Sequence, residues 1–311
     1  MKDISVIIAH FAPDKRTQFY RDLLKRTIAS VRNQEVDFET EILVCDDGSY
    51  WSRSLAANTD LTVYTAEDIA SNKLLSDLDV DFYLALPDVY RYRGVAIKHR
   101  AFELARYDKV VVLDDDQPFI SRKSLARYSD YLDKYHFVRG RVLSPKGRPQ
   151  LFFSTNAQGT NYGIRRSLYF QCGGFGKYLF DNGYGEDNDI LWRVYSWLKG
   201  RSDKAKLACF AGEILTKDLA SNRWLDRSNN GLTIEPGSQN SELRYESFVR
   251  EFFGQYGVSP SNNPSRHKHG WMAIPSLASF VSEIKYSLIY CLHFPSLVVE
   301  KIRTKLRKFT F

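Results

Sequence analysis

Apolar positions along the chain follow two spacings. Ile4–Ala9, Ile42–Cys45 and Val110–Leu113 are short, uncharged, largely apolar runs bounded by polar residues. That is the pattern of strands buried on both faces of a parallel sheet. Between the first two runs, Phe19, Leu23, Leu24, Ile28 and Val31 recur at helical spacing. The first fifty residues therefore read as strand, helix, strand, a βαβ unit that implies parallel pairing. Leu61–Tyr64 predicts a third strand, and Gly94–Leu104 predicts a helix leading into the Val110 run. Residues 140–160, rich in Gly, Pro, Ser, Asn and Gln, read as loops around one strand near Leu151–Phe153. Ile190, Leu191, Val194 and Leu198 carry the apolar face of a helix ending near Gly200, and Lys206–Ile214 predicts a further strand.

The character changes near residue 240. Leu243, Phe248, Phe252 and Phe253 predict a helix, and residues 257–270, with Pro260 and Pro264, a linker. Leu277, Phe280, Val281, Ile284, Leu288 and Leu292 form an apolar stripe that Pro295 interrupts; Val298, Ile302, Leu306 and Phe309 continue it. The expected organisation is an α/β domain over 1–235 followed by a helical extension over 236–311.

Composition narrows the class. A hydrophobic content of 43% with 14% aromatic residues over 311 positions supports a globular core. Cys45, Cys172, Cys209 and Cys291 show no metal-ligand spacing, which argues for a reducing compartment without a disulfide framework and against zinc. The first apolar run is too short for a signal peptide, and no stretch of about 18 apolar residues is long enough to cross a bilayer. A cytoplasmic protein is expected. Of the net charge of +7, residues 301–311 supply five cations and no anion, which leaves +2 for the other 300 residues. A nucleic-acid-binding surface spreads its charge over a face, so that class is set aside. The basic tail, with apolar residues between its cations, fits peripheral attachment to an anionic inner-membrane surface. The same stripe also fits packing on the catalytic domain or on a second subunit of a homo-oligomer.

Three acidic sites carry the candidate chemistry. Asp114, Asp115 and Asp116 end the Val110 run. Three carboxylates at the end of a buried strand resist desolvation and call for a positive partner. While the chain stays extended, Asp114 and Asp116 point the same way, a pair suited to a hard divalent cation that bridges to phosphates. Asp alone is also common in surface turns. Asp46 and Asp47 end the second run, in a turn-forming Asp-Gly-Ser context; acidic residues at such a strand end hydrogen-bond nucleoside groups in Rossmann-like folds. Glu186 and Asp187 open the helix at Ile190, where capping alone favours acids. Five glycines (Gly173, Gly174, Gly176, Gly183, Gly185) precede them, more than a cap needs, and allow a loop that closes over substrate.

Taken in order, Ser5-Val-Ile-Ile, Glu41-Ile-Leu-Val-Cys-Asp-Asp-Gly-Ser49, Val112-Leu-Asp-Asp-Asp116, Gly173-Gly-Phe and Gly185-Glu-Asp-Asn-Asp-Ile-Leu-Trp-Arg193 resemble glycosyltransferase family 2, inverting enzymes with the GT-A fold. The Gly183-Tyr-Gly-Glu-Asp-Asn-Asp189 block is also similar to the acceptor-side motif of β-1,4-galactosyltransferase and chondroitin-polymerase type enzymes. Each motif alone is weak, and four in the right order are specific. The resemblance covers about residues 1–235. It implies a nucleotide-diphosphate sugar donor, most readily a UDP-sugar, and a glycan or lipid-linked glycan acceptor. It implies Mn²⁺ or Mg²⁺ on Asp114 and Asp116, Asp115 at the ribose, Asp46 and Asp47 at the nucleoside, and Lys98 facing the nucleotide. It makes Asp187 the catalytic base and Glu186 an acceptor contact.

Two departures stand out. The family's Pro-X-Tyr-Asn after strand one is here Ala9-His-Phe-Ala12, so Phe11 lies at an altered nucleoside pocket. The family's metal-binding His is absent from Glu213–Asp218, which leaves Asp218 as a substitute ligand. A nucleotidyltransferase is the rival enzyme, but His10–Lys15 lacks a glycine-rich phosphate loop. A non-catalytic nucleotide-sugar-binding module is the rival outside enzymes.

Overall fold

The apolar runs become the middle of a nine-stranded sheet. The computed structural model describes residues 2–12, 16–56, 61–86, 94–145, 147, 160–175, 190, 193–194, 208–220, 272–273, 276–278, 280–282, 284–285 and 288. The strands are β1 Ile4–His10, β2 Thr40–Asp46, β3 Thr62–Thr65, β4 Phe82–Ala85, β5 Lys109–Asp114, β6 Phe137–Leu143, β7 Tyr162–Arg165, β8 Ala208–Lys217 and β9 Met272–Ala273. The helices are α1 Thr17–Arg32, α2 Ala66–Ser71, α3 Gly94–Leu104, α4 Ser124–Leu132 and α5 Arg166–Gln171. In space the strands run β3-β4-β2-β1-β5-β7-β6-β8-β9. Pairing is parallel through β4-β2-β1-β5 and again through β6-β8-β9, while β3 and β7 run antiparallel to their neighbours. The expected α/β class and mostly parallel sheet are what the chain forms.

Alternation along the strands divides the core in two. Val110 and Val112 of β5 pack with Val95, Ile97 and Phe102 of α3 and Leu168 and Tyr169 of α5 on one face. Val111 and Leu113 pack with Leu24, Ile28 and Val31 of α1 and Leu125 and Leu132 of α4 on the other. Both faces of β5 are therefore buried, as an unbroken apolar run requires.

Connectivity sets the site. From β1 the chain passes through α1 to β2 on one side; it returns through α3 to β5 on the other side of β1. Strand order thus reverses at β1, between its neighbours β2 and β5. In open α/β sheets that switch point is where ligands bind.

Residues 140–143 belong to β6, so the loop expected from residue 140 begins later. Arg139, Gly140 and Arg141 broke the apolar alternation in sequence, yet both arginines are buried here, and the register with β8 shifts between them. The strand near Leu151–Phe153 and the helix near Leu243–Phe253 lie outside the described residues. Ile190, Arg193 and Val194 are helical, and β9 brings a strand from beyond residue 236 into the sheet beside β8.

Candidate active site

The first acidic residue, Asp114, ends β5 half-buried, and its backbone N–H donates to Thr160 Oγ1 at 2.8 Å. The chain does not stay extended beyond it. Gln117 N–H donates to Asp114 O at 3.1 Å, so Asp114–Gln117 is a tight turn with Asp115 and Asp116 in its centre. The extended pairing of Asp114 with Asp116 gives way to the turn preference of Asp. Asp116 is nearly buried. Its carbonyl accepts from Leu219 N at 3.0 Å, which brings Asp218, 102 positions away in sequence, beside the turn. Asp218 is half-buried; its Oδ1 accepts from Ala220 N at 2.9 Å.

Asp115 turns inward. Its side chain has no exposed surface and is bonded to His10 Nδ1, while Phe11 N approaches its Oδ2 at 3.4 Å. Trp51 Nε1 lies 3.0 Å from His10 Nε2. An indole nitrogen only donates, so His10 Nε2 accepts and the ring proton sits on Nδ1, aimed at the Asp115 carboxylate. Asp115 N donates to Ala9 O at 2.9 Å and Thr27 Oγ1 donates to Asp115 O at 2.7 Å. The middle carboxylate of the triplet is thus built into the floor beneath β1. That is a different environment from the ribose contact the resemblance implies for it.

The second acidic site divides the same way. Asp46 is fully buried, and its carboxylate accepts from Ser49 N at 2.9 Å, from Ser52 Oγ and from Tyr83 Oη. Burial, and then the Asp46 charge, push the Tyr83 phenol well above its ordinary range. Ser49 Oγ accepts from Ala12 N at 2.8 Å, tying the β1 exit to this knot. Asp47 is half-buried, its N–H donating to His10 O at 3.0 Å. Of the two, Asp47 is the one with solvent-accessible surface.

Lys98, on the second turn of α3, is buried close to Cys45. Burial pushes the Cys45 thiol far up, and the Lys98 charge opposes that rise. Phe11 is nearly buried. Glu186 and Asp187 lie outside the described residues. Among the described residues, no three Asp, Glu, His or Cys side chains converge on one point as a ready metal cage. The Asp114–Asp116 turn with Asp218 beside it nevertheless offers the oxygen chemistry a hard cation takes, and Mg²⁺-type sites often use only one or two carboxylates plus substrate phosphates.

Sequence reasoning missed the parts that hold this site: Trp51, Tyr83, Ser52, Thr160 and Asn161. Asn161 adopts a left-handed φ of 54° in a buried position. Its Oδ1 accepts from Tyr128 Oη at 2.8 Å, and its Nδ2 donates to Arg141 O at 3.0 Å. Asn tolerates this conformation better than most residues, which was the only local signal.

No family model matches the sequence, and no curated protein matches it. Among solved structures, the chain is similar to Staphylococcus aureus TarS residues 1–349, with 14% identity, a TM-score of 0.46, and coverage of 85% of this chain and 77% of that one. It is also similar to the mannosyltransferase PcManGT from Pyrobaculum calidifontis in complex with GDP-Man and Mn²⁺. There the identity is 13% and the TM-score 0.47, with 99% of this chain and 81% of that chain covered.

Proposed function

We propose that this chain is a metal-dependent inverting glycosyltransferase of the GT-A type, moving a sugar from a nucleotide-diphosphate donor to a hydroxyl of a glycan or lipid-linked glycan. The observation that supports it most is the approach of a second acidic segment to the Asp114–Asp116 turn at the switch point. Asp47 follows β2, Asp114 ends β5 with Asp116 in the turn after it, and Asp218 follows β8, with Leu219 N bonded to Asp116 O at 3.0 Å. A carboxylate set beside an acidic turn from 102 positions away is repelled by it, a cost that a bound cation would offset.

In this reading Asp114 and Asp116, with Asp218 as third candidate, would hold Mn²⁺ or Mg²⁺, which would supply positive charge against the diphosphate leaving group. Asp47 and Lys98 contribute to the nucleotide pocket, and Phe11 bounds it. Asp187 removes the proton from the acceptor hydroxyl. The acceptor oxygen bonds to the anomeric carbon on the face opposite the diphosphate, whose C–O bond breaks. The configuration inverts, and a nucleoside diphosphate leaves. General-base assistance of this kind contributes about 10²–10⁴ in rate.

Asp187→Asn tests the assignment, because it preserves size and capping capacity while removing basicity. The variant should still be stabilised thermally by its nucleotide sugar with Mn²⁺ but lose about 10²-fold or more of turnover. Near-normal turnover in the folded variant would reduce Asp187 to a helix cap. A panel of nucleotide sugars in the same melting assay identifies the donor.

A further inference from the structure

Just past the acidic turn the chain forms a short antiparallel ribbon with the end of β8. Ile120 N donates to Leu215 O at 3.0 Å, Lys217 N to Pro118 O at 3.2 Å and Leu219 N to Asp116 O at 3.0 Å, and Phe119 is bridged to Thr216. That register sets Gln117 directly opposite Asp218. The two do not bond each other through the backbone: Gln117 N donates to Asp114 O at 3.1 Å and Asp218 N to Leu143 O at 2.7 Å. Opposed residues of this kind have Cα atoms about 4.5 Å apart and side chains on one face. Gln117 also closes the turn that begins at Asp114, which keeps those two Cα atoms within about 7 Å. Asp114, Gln117 and Asp218 therefore spring from one small region at the end of β5.

Gln117 is 8% exposed, and its Oε1 is buried with no hydrogen-bond donor among the described residues. Native interiors rarely leave a buried amide oxygen unmet, because its lost hydration is then not replaced. The neighbours of this oxygen indicate what meets it. Asp218 stands across the ribbon, and Asp114 and Asp116 lie in the turn that Gln117 closes. Among the described residues, three acidic, His or Cys side chains do not converge here, so the chain builds no cage from such groups alone. A neutral carbonyl adds a hard oxygen without adding to the repulsion among the acids. Carboxylate and carbonyl oxygens are the ligands that Mg²⁺ and Mn²⁺ take.

We propose that Gln117 Oε1 is a ligand of the divalent cation, paired with Asp218 across the ribbon. The inference rests on the metal-dependent reading given above and names an oxygen that reading does not include. The test is titration of the full chain with Mn²⁺, alone and with UDP, followed by electron paramagnetic resonance, alongside melting of the metal-free and Mn²⁺-loaded protein. Gln117→Met keeps the length of the side chain and removes the oxygen. It should bind Mn²⁺ about tenfold or more weakly. Without metal it should melt no lower than the wild type, because an unmet buried acceptor has been removed. Gln117→Glu should do the reverse. It should melt lower without metal, where a further carboxylate joins the acids, and gain more from Mn²⁺ than the wild type gains. Wild-type Mn²⁺ affinity in Gln117→Met overturns the inference and leaves the metal-dependent reading standing. Should Gln117→Met fail to fold, an unchanged affinity in Gln117→Glu overturns it equally. A wild-type protein that binds no Mn²⁺ with or without UDP overturns the inference and the metal-dependent reading together.

Discussion

Removing His10 should damage both the fold and the acidic turn. The imidazole is wholly buried, donates from Nδ1 to the buried Asp115 carboxylate, and accepts from Trp51 Nε1 at 3.0 Å. The indole is itself fixed by the Arg21 guanidinium, 4.8 Å from the ring centre. In His10→Ala the Asp115 carboxylate keeps its burial but loses its strongest donor. Breaking a buried charged contact from one side costs about 3–5 kcal/mol. His10→Asn retains an amide N–H near the Nδ1 position, so about 1–2 kcal/mol is expected, the scale of one imperfect hydrogen bond. Trp51→Phe leaves Nε2 without its indole donor. Trp51 is only half-buried, so water can replace the donor, and about 1 kcal/mol is expected. Urea denaturation at constant m-value reads these differences, with an order Ala > Asn ≥ Phe. At about 2 °C per kcal/mol, His10→Ala should melt roughly 6–10 °C lower. Because Asp115 sits between Asp114 and Asp116, His10→Ala should also lower turnover more than His10→Asn does. A stability loss below about 1 kcal/mol for His10→Ala would refute the view that His10 anchors the turn.

Gly140→Ala should be severe, because a Cβ there lies 2.4 Å from Asn161 Nδ2 and 2.7 Å from its Cγ, and Asn161 is pinned by Tyr128 and Arg141. A loss of about 3 kcal/mol or failure to fold is expected by thermal melting, against about 1 kcal/mol for Gly147→Ala, where only the φ of 72° is strained. Asp46→Asn points an NH₂ group at a set of donors, Ser49 N, Ser52 Oγ and Tyr83 Oη, and should cost about 2–3 kcal/mol in urea denaturation.

Much of this was legible in sequence because local pattern and tertiary fate agreed. The runs of β1, β2 and β5 are apolar on both faces, and α3 spans the residues its spacing predicts, Gly94–Leu104. β4, Phe82–Ala85, was missed, and β6 was half missed because buried Arg139 and Arg141 resemble surface residues in a string of letters. The acids were visible because strand ends are turn-rich and polar. Their division into anchoring and accessible members was not. Asp115 is anchored by a residue 105 positions away and Asp46 by Tyr83 on another strand. The apolar stripe at 277–288 was plain in sequence, but only the bonds of Ser276 and Ser282 reveal that it faces outward.

The most direct test of the central claim is the release of nucleoside diphosphate from the donor that best stabilises the protein, followed with and without Mn²⁺ in the wild type and in Asp116→Ala. Charge stabilisation of several kcal/mol by the cation corresponds to about 10²–10³ in rate. Release should therefore require Mn²⁺ or Mg²⁺, stop on adding excess EDTA, and fall by about that factor in Asp116→Ala while the variant keeps its melting temperature. Full release in EDTA, or an Asp116→Ala protein that turns over like the wild type, would contradict metal-assisted glycosyl transfer at this edge of the sheet.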